Sequence, residues 1–466
     1  MKFLRHFKAI LIVVITLFIA NNSYALLNLK VNSDTDLPRH KILFFGFDVD
    51  EARLDQDVKQ IMSMIMKNLN STNLFEIVAA TNAMEVMLQD SSIYVNISDN
   101  DMEEQRKNAK INSDSIPNFE KYSEQNISAI IVGDFKYDEV GNLEAKIRAW
   151  DVLDQKQLFG RFYNASEDNY NKIANYVSNE IFIKLTGEKI GHFDSKITYV
   201  AESGSLSNRL KRLAIIDFNG SNQKFLSDGS ELVLTPTFSR NHDEIFYLRY
   251  FLDKPHIFKI NLNNGRSNKV TGFRQTNFSP APHPTDSSKI LLSAIVDQNT
   301  DIYEYDMITN TSTRITNDQS IDTTPSYSPD GSKIVFTSDR DGKQQIYLIN
   351  YNDYSLRQIG NPDNAYSKPQ WSPDGKYIAF TKFKNNEFYA GIILPDGSNE
   401  KILAKGYVLE GVKWSPSSRY LIYSKKRGPY GPESIPRLFT VDIITGFEYE
   451  IPTPNGEGAI DPDWVS

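Results

Sequence analysis

Short runs of alternating hydrophobic and polar residues return about every 45 residues in the C-terminal part of the chain. The clearest copy, at 324–336, reads TPSYSPDGSKIVF. Its Ser-Pro-Asp-Gly turn separates two strand-like runs, because proline fixes one turn dihedral and glycine tolerates a positive φ. A third and a fourth strand-like run follow in each copy. Four strands in about 45 residues are typical of one blade of a β-propeller.

The number of strands of each type predicts six blades. Second strands are predicted near Ile197, Ile245, Ile290, Ile334, Ile378 and Leu421, and first strands near Thr237, Ala281, Ser326, Gln370, Lys413 and Asp463. No first strand precedes Ile197, and no second strand follows Trp464. We therefore expect the C-terminal strand to complete the blade that Ile197 begins, closing an all-β propeller over residues 196–466 and hiding its sheet edges. An open solenoid or a sandwich is the alternative. The missing first strand at one end and the missing second strand at the other argue against both.

Residues 39–190 lack the blade motif and predict a mixed α/β domain, so the fold class is a two-domain chain. Strand-like apolar runs stand at 41–45, 74–78, 127–132 and 143–150. Apolar residues at helical spacing predict two helices: Leu54, Val58, Ile61, Ile65 and Leu69 in the first, and Ile173, Val177, Ile181 and Leu185 in the second. Gly187 is expected to end the second helix, and the polar residues 91–118 predict a long loop.

The first 25 residues have the organisation of a secretory signal peptide. Lys2, Arg5 and Lys8 precede an uncharged apolar stretch at 9–20, and small residues follow, which predicts cleavage after Ala25. Twelve apolar residues fall short of the roughly 20 that a membrane-spanning helix needs. The sequence has no cysteine to form a disulfide and shows no wall-anchoring tail, so we expect the bacterial periplasm as the simplest compartment.

Charge and motifs narrow the class of function. The net charge of −8 comes without a basic stripe, so neither a nucleic acid nor an anionic membrane surface is expected as a partner, and we predict a monomer. A nucleophile elbow, a zinc-protease motif, a P-loop and a dinucleotide fingerprint are all missing from the sequence. A proline or glycine interrupts the helical spans between histidines and nearby carboxylates, and a hairpin turn explains 338–342 better than a calcium loop does. No catalytic, metal or cofactor site is therefore predicted.

Two other functions remain as alternatives. A propeller enzyme, such as a hydrolase or lyase, would act in the central channel. A carbohydrate-binding propeller acting on the cell wall would need a ladder of exposed aromatic residues. Trp371, Trp414 and Trp464 occupy the same position of their blades, which is typical of core residues rather than of a binding ladder.

The junction between the two parts resembles the TolB family of the Tol–Pal system. Residues 183–200, IKLTGEKIGHFDSKITYV, are similar to that family's Leu-Thr-Gly-Glu, Gly-x-Phe and Arg-Ile-Ala-Tyr-Val signature, with Lys196 in place of the arginine. Two blade turns, at 240–243 and 284–287, depart from the Ser-Pro-Asp-Gly pattern. The resemblance implies a non-enzymatic periplasmic adaptor that needs no cofactor. It would link the lipoprotein Pal at the outer membrane to TolA at the inner membrane, supporting outer-membrane integrity and constriction during cell division.

The resemblance also implies where the partners bind. Pal would contact positions just before the first strands, on the propeller face around the channel, where fixed loops suit docking: Thr235, Phe278, Ser279, Thr323 and Thr324, with Asp322 and Lys368 behind them. TolA would contact the start of the mature chain: Leu26, Leu27, Asn28, Leu29, Lys30 and Val31. By composition alone, residues 26–38 fit either a frayed terminus or a segment that orders on binding.

Overall fold

The computed structural model describes residues 39–45, 47, 51–79, 116–117, 119–204, 208–251, 254–270 and 276–466. The predicted signal peptide with its cleavage site and the predicted partner segment at 26–38 lie outside these residues. Nearly all of the predicted loop at 91–118 also lies outside them.

Within these described residues, the N-terminal domain contains a five-stranded sheet in the order β2-β1-β3-β4-β5, with β1 parallel to β2 and β3. Its strands are β1 His40–Phe45, β2 Phe75–Ala79, β3 Ala129–Tyr137, β4 Leu143–Asp151 and β5 Lys156–Ala165. Its helices are α1 Ala52–Asn70, α2 Phe119–Ser123 and α3 Tyr170–Thr186. The mixed α/β fold is thus confirmed, and β5 is a strand that the sequence pattern did not predict.

Helices α1 and α3 form because their apolar residues fall on one face. Every apolar position predicted for α1 is buried against the sheet, from Leu54 to Leu69. Helix α3 ends as expected at Gly187, whose φ of 73° lies in the left-handed region and whose N–H bonds to the carbonyl of Ile183. The two helices pack together and share a buried hydrogen bond of 2.9 Å from Asn68 to Asn175.

The C-terminal domain consists of six four-stranded sheets, which we number as blades 1 to 6. Blade 1 contains β9 Val233–Phe238, β10 Glu244–Phe251, β11 Lys254–Asn261 and β12 Ser267–Lys269. Blade 2 contains β13 Asn277–Pro282, β14 Lys289–Val296, β15 Asn299–Asp306 and β16 Thr311–Arg314. Blade 3 contains β17 Thr323–Tyr327, β18 Lys333–Ser338, β19 Gln345–Asn350 and β20 Leu356–Gln358. Blade 4 contains β21 Ala365–Trp371, β22 Ile378–Lys384, β23 Glu387–Ile393 and β24 Lys401–Gly406. Blade 5 contains β25 Val408–Trp414, β26 Tyr420–Lys426, β27 Arg437–Asp442 and β28 Glu448–Ile451. Blade 6 combines β29 Gly458–Val465 with β6 Lys196–Ser203, β7 Leu210–Asp217 and β8 Lys224–Phe225.

The last strand closes the ring as the sequence predicts. Strand β29 pairs antiparallel with β6, so that Trp464 lies opposite Ile197 and Asp463 opposite Thr198. Each first strand contacts the first strand of the next blade all the way around the axis. The six-bladed propeller closed by the C-terminal strand is therefore confirmed, and both the solenoid and the sandwich are excluded.

An aromatic cluster joins the two domains at this closure. The ring of His192, in the segment after α3, is fully buried and lies 4.8 Å from Tyr420 and 5.8 Å from Trp464 between ring centroids. Burial, together with the nearby charge of Arg419, lowers the pKa of His192 to about 3, so the imidazole is neutral. Nε1 of Trp464 donates to the hydroxyl of Ser195 in the same segment. The side chain of the closing strand therefore packs directly on the connection between the domains.

A buried charge network holds the same junction. Arg419 of blade 5 donates to Asp442 at 2.9 Å and to Glu188, in the interdomain segment, at 3.0 Å. Lys67 of α1 donates to the carbonyl of Asn219 at 2.9 Å. These contacts hold the α/β domain against one face of the propeller, the face on which β29 ends.

Replacing Trp464 with alanine should destabilise the propeller by about 3–5 kcal/mol, because the change leaves a cavity in the closing strand and frees the Ser195 hydroxyl. Trp464 is 4% exposed, whereas Ile444 is 52% exposed on a blade turn, so I444A is the matched control and should change stability by about 0.5 kcal/mol or less. Urea unfolding followed by far-ultraviolet circular dichroism measures both. Equal stability of the two variants would contradict the role given to the closing strand.

Candidate functional site

Each of the six first strands contains a β-bulge with one residue in the left-handed region of backbone space. The register of every first strand shifts at this point against its second strand. The six bulge residues, which we call the mouth ring, are Thr235 (φ 46°), Ser279 (55°), Thr324 (51°), Lys368 (52°), Gly411 (68°) and Asp461 (49°). A proline follows five of them, and Val412 follows the sixth. A bulge re-aims the strand locally, and bulges are over-represented next to functional sites.

The backbone of the mouth ring is strained. A β-branched residue with positive φ is a genuine outlier, and Thr235 and Thr324 both adopt one. The conformation costs about 1–2 kcal/mol per residue and persists only where the surroundings enforce it. Hydrogen bonds from the preceding blade supply part of that enforcement: the N–H of Thr324 donates to Ser293 at 3.3 Å, and the N–H of Lys368 donates to Thr337 at 3.1 Å. The same backbone conformation at six equivalent positions, five of them not glycine, points to a shared requirement at the channel.

The mouth ring surrounds a cavity of about 100 Å³ on the propeller axis. Its walls combine the six ring residues with apolar neighbours: Pro236, Pro280, Pro325, Val412 and Pro462. Thr237, Gln370 and Lys413, each two residues further along its first strand, also line it. The cavity is therefore apolar at its sides and polar at its base.

The direction of the strands places this cavity on a particular face. Residue Val465, at the end of β29, pairs with Lys196 at the start of β6, directly after the α/β domain. First strands therefore run toward the α/β domain, and their beginnings lie on the opposite face of the propeller. We call that opposite face the mouth face, since the mouth ring lies in the first half of β9, β13 and β17.

The mouth face exposes large apolar side chains at the ends of its strands. They are Leu210, Leu232, Tyr250, Ile295, Ile321, Phe383, Tyr407 and Tyr430. Neighbouring members come from paired strands, as where the N–H of Tyr250 donates to the carbonyl of Leu232 at 3.1 Å. Exposed apolar side chains around a rigid opening favour protein binding. The sequence analysis missed six of these residues, although apolar residues standing next to turn signals could have indicated them: Leu210, Tyr250, Ile295, Phe383, Tyr407 and Tyr430.

The structure brings most of the predicted Pal-facing residues together. Thr235, Ser279, Thr324 and Lys368 are members of the mouth ring. Phe278 and Thr323 precede two of them and are half-buried. The expectation that these positions come before the first strands is wrong, because the strands already begin at Val233, Asn277, Thr323 and Ala365. The bulges let pairing continue on both sides of the strained residue.

Asp322 is the exception among the predicted contact residues. Its carboxylate is fully buried, and both oxygens accept hydrogen bonds from Arg340 at 3.0 Å. Burial raises the pKa of Asp322, while the bonds from Ser338 and Arg340 oppose that shift. Asp322 therefore anchors the loop before β17 from within and does not face a partner. The predicted segment from Leu26 to Val31 lies outside the described residues.

The remaining candidate chemistry has structural roles. Trp371, Trp414 and Trp464 are buried, as their shared blade position predicts. Nδ1 of His283 accepts hydrogen bonds from the N–H groups of Thr285 and Asp286, in a blade turn. Within the described ranges, no three His, Asp or Glu side chains are arranged to hold a metal ion. In the same ranges, no helix has both the length and the apolar character needed to cross a membrane.

Comparison with known proteins gives consistent matches to both domains. A family model described as the TolB β-propeller domain matches residues 182–466, and one described as the TolB amino-terminal domain matches residues 87–158. The Tol-Pal system protein TolB of Gluconobacter oxydans (strain 621H) is 32% identical over 409 residues, covering 87% of this chain and 83% of that protein. The crystal structure of TolB from Acinetobacter baumannii has a TM-score of 0.75 at 22% identity, covering 92% of this chain and 97% of its own. That last likeness shows a common fold.

Gly411 is the one glycine of the mouth ring, and a close contact explains it. A Cβ at this position would lie 3.1 Å from both Cα of Asp461 and Cδ of Pro462 in the neighbouring first strand. We expect G411A to destabilise the propeller more than G446A. Gly446 has a similar φ of 76°, but a Cβ there would have nothing within 4 Å, so its loss should be about 1 kcal/mol from the backbone conformation alone.

Urea midpoints of the two variants measure the difference. An identical loss of stability in G411A and G446A would show that crowding between blades 5 and 6 is absent.

Proposed function

We propose that this chain, which belongs to the TolB family of the Tol–Pal system, is an exported periplasmic adaptor that binds its partners by protein–protein contact. The observation that carries this proposal is the mouth face, where a strained ring around a small cavity is surrounded by exposed apolar side chains. Membership of the Tol–Pal system supplies the class of partner. The signal-peptide pattern of residues 1–25 supports export.

The size of the cavity favours a protein partner over a small substrate. Pockets for small molecules usually measure about 300–1,000 Å³ and bury most of the ligand. The cavity at the mouth ring measures about 100 Å³, which suits the tip of one side chain. Exposed aliphatic and aromatic residues around it provide the area that a protein interface needs, roughly 800 Å² on each partner.

The partner at the mouth face is Pal in this proposal. A peptidoglycan-associated lipoprotein at the outer membrane presents a folded domain to the periplasm, and a rigid propeller face offers a preorganised surface for it. The ring members Thr235, Ser279, Thr324 and Lys368 would form the centre of the contact, with Phe278 and Thr323 beside them. Preorganisation lowers the entropy lost on binding, and the contacts that enforce the strained backbone of the ring keep the surface in one shape.

The second partner of the adaptor is TolA, contacted through the start of the mature chain. The support for this half is the family resemblance and the position of residues 26–38 in the sequence, ahead of β1 of the α/β domain. Simultaneous binding of both partners would connect the outer and inner membranes and support constriction during division.

Placing a charge on the mouth face tests the Pal contact. Ile321 is 53% exposed beside the mouth ring, and Ile308 is 79% exposed in the turn between β15 and β16, on the face opposite the mouth face. We expect I321D to weaken binding to the soluble domain of Pal at least tenfold, because the new carboxylate loses water at a desolvated interface. I308D makes the same chemical change away from the site and should bind as the wild type does.

Isothermal titration calorimetry measures both affinities. The proposal fails if wild-type protein shows no binding at micromolar concentration, or if I308D weakens binding as strongly as I321D.

Removing residues 26–31 from the mature protein tests the TolA contact separately. We expect the shortened protein to lose capture by immobilised periplasmic TolA domain while keeping its affinity for Pal, because the deletion lies outside the propeller. Replacing 33–38 by a Gly/Ser sequence of equal length is the matched control and should preserve capture. Retention of the shortened protein on TolA would contradict this half of the proposal.

A further inference from the structure

A second cavity lies on the mouth face, at the end of blade 2 and away from the channel. It measures about 490 Å³ and lies between the turn that joins β14 to β15 and the segment that follows β16. Second strands run antiparallel to first strands, so the turn after β14 lies on the same face as the mouth ring. We call this space the outer cavity, and it shares no lining residue with the cavity at the mouth ring.

The one cation that lines the outer cavity already has a carboxylate partner inside the blade. Nη2 of Arg314 donates to Oδ2 of Asp301 at 2.5 Å, and its Nε donates to the carbonyl of Thr316 at 2.9 Å. Asp301 is fully buried, and its other oxygen accepts from the hydroxyl of Thr316 at 3.3 Å. The charge of Arg314 is therefore balanced from within the blade and does not offset carboxylates that face the solvent.

Two exposed carboxylates, those of Asp297 and Asp318, also line the outer cavity. Oδ1 of Asp318 accepts from the N–H of Ser320 at 3.0 Å and from the hydroxyl of the same residue. These bonds lower the pKa of Asp318, so the group is ionised at neutral pH. Together with the neutralised pair of Arg314 and Asp301, the two carboxylates leave the outer cavity with two negative charges.

The surroundings of the outer cavity have the same sign of charge. The mouth-face turns of blades 2 and 3 are residues 297–298, 315–322, 339–344 and 359–364. They contain six aspartates against two cations, Arg340 and Lys343, which is a net charge of −4. Arg340 is itself paired with the buried carboxylate of Asp322. A partner group that binds here should therefore be positively charged.

We propose that the outer cavity receives a basic side chain of the protein that docks on the mouth face. This inference rests on the proposed function, since it names the chemistry of a group that the partner presents to the same face. Amide side chains supply further acceptor oxygens beside the two carboxylates: Gln298, Asn299, Asn317 and Gln319. Such a set suits arginine, because a guanidinium group has five N–H donors and an ammonium group has three.

The polarity of the outer cavity favours a protein side chain over a free small molecule. Every residue of its lining is polar, whereas sites for small molecules are lined mainly by apolar and aromatic side chains. Apolar side chains stand beside it instead: Ile295 is two residues before Asp297, and Ile321 is three residues after Asp318, both exposed. A protein that covers these side chains also excludes water from the outer cavity.

Exclusion of water decides how much the charge pair contributes. An ion pair between exposed groups contributes little in water, but the attraction strengthens as the effective dielectric constant falls. A partner docked over Ile295 and Ile321 would lower the dielectric constant around Asp297 and Asp318. We therefore expect the pair to affect both the affinity and its salt dependence.

The test compares binding of the soluble Pal domain to wild type and to D297N/D318N at 50 and 300 mM NaCl by isothermal titration calorimetry. We expect the double variant to bind at least about fivefold more weakly at 50 mM NaCl and to lose part of the wild-type salt dependence. Asparagine keeps the size of the side chain and the oxygen that accepts from Ser320, so the turn should be preserved.

The matched control is D353N/D396N, which changes the net charge by the same amount on the opposite face. Both aspartates are exposed in turns between third and fourth strands. Asp353 accepts from the N–H of Ser355 and Asp396 from that of Ser398, each at 2.9 Å, as Asp318 does from Ser320. The control should bind within twofold of wild type, and thermal unfolding of each variant establishes that the propeller is intact.

Each outcome decides the matter. Binding of D297N/D318N within twofold of wild type would overturn this inference and leave the adaptor function standing. An equal loss in D353N/D396N would also overturn it, because the effect would then come from the net charge of the chain and not from the outer cavity. If wild-type protein does not bind Pal at all, the proposed function falls, and this inference falls with it. If the double variant does not fold, the single variants D297N and D318N decide by the same criteria.

Discussion

The antiparallel pairing of β29 with β6 is the interaction on which the rest of the molecule depends. It joins the two ends of the propeller sequence, so that none of the inner strands is left as a free edge. The pairing also joins the domains, because Trp464 packs on His192 and Ser195 in the segment that leaves α3. One strand therefore closes the ring and helps to hold the α/β domain against it.

Closure of the ring brings six first strands together around one axis, where the space between them is small. Each of these strands adapts to that space by a β-bulge. A regular strand would keep its alternation past the axis, whereas a bulge re-aims the backbone and lets pairing continue on either side. The conformational cost recurs at the five members of the mouth ring that are not glycine, and a structure retains such a cost only where the surroundings enforce it. The result is a rigid opening with apolar walls, a polar base and exposed apolar side chains around it. A rigid surface of this kind binds another protein with little loss of entropy.

The repeat explains why so much of the fold could be predicted. Each copy of the repeat predicts the same strands and turn, so a copy with a degraded turn, such as 284–287, is identified by its position between clearer copies. The strand at Ile197 lacks a first strand and the strand at Trp464 lacks a second strand, which indicates that the two pair and close the ring. Strand β5 has no such support. It is an edge strand in which half of the residues are exposed and only Phe159 is buried, so its apolar pattern is too sparse to indicate a strand. The site was predictable in position but not in detail. Asp322 reads as a loop residue until Arg340, 18 residues later, is seen to enclose it. Likewise, the bulges allow each first strand to begin several residues before the position that the Pro-containing motif indicates.

The acidic residues of β29 have a particular role, because this strand is not tethered to its own blade by a hairpin. In blade 4 the N–H of Trp371 donates to a hydroxyl, that of Ser326 in blade 3, at 3.2 Å. At the equivalent place in blade 1, the N–H of Phe238 donates to a carboxylate, that of Asp463 in β29, at 2.8 Å. Hydrogen bonds to an ionised acceptor are shorter and roughly twice as strong as neutral ones. Asp463 and Asp461 thus fasten the closing strand to blade 1.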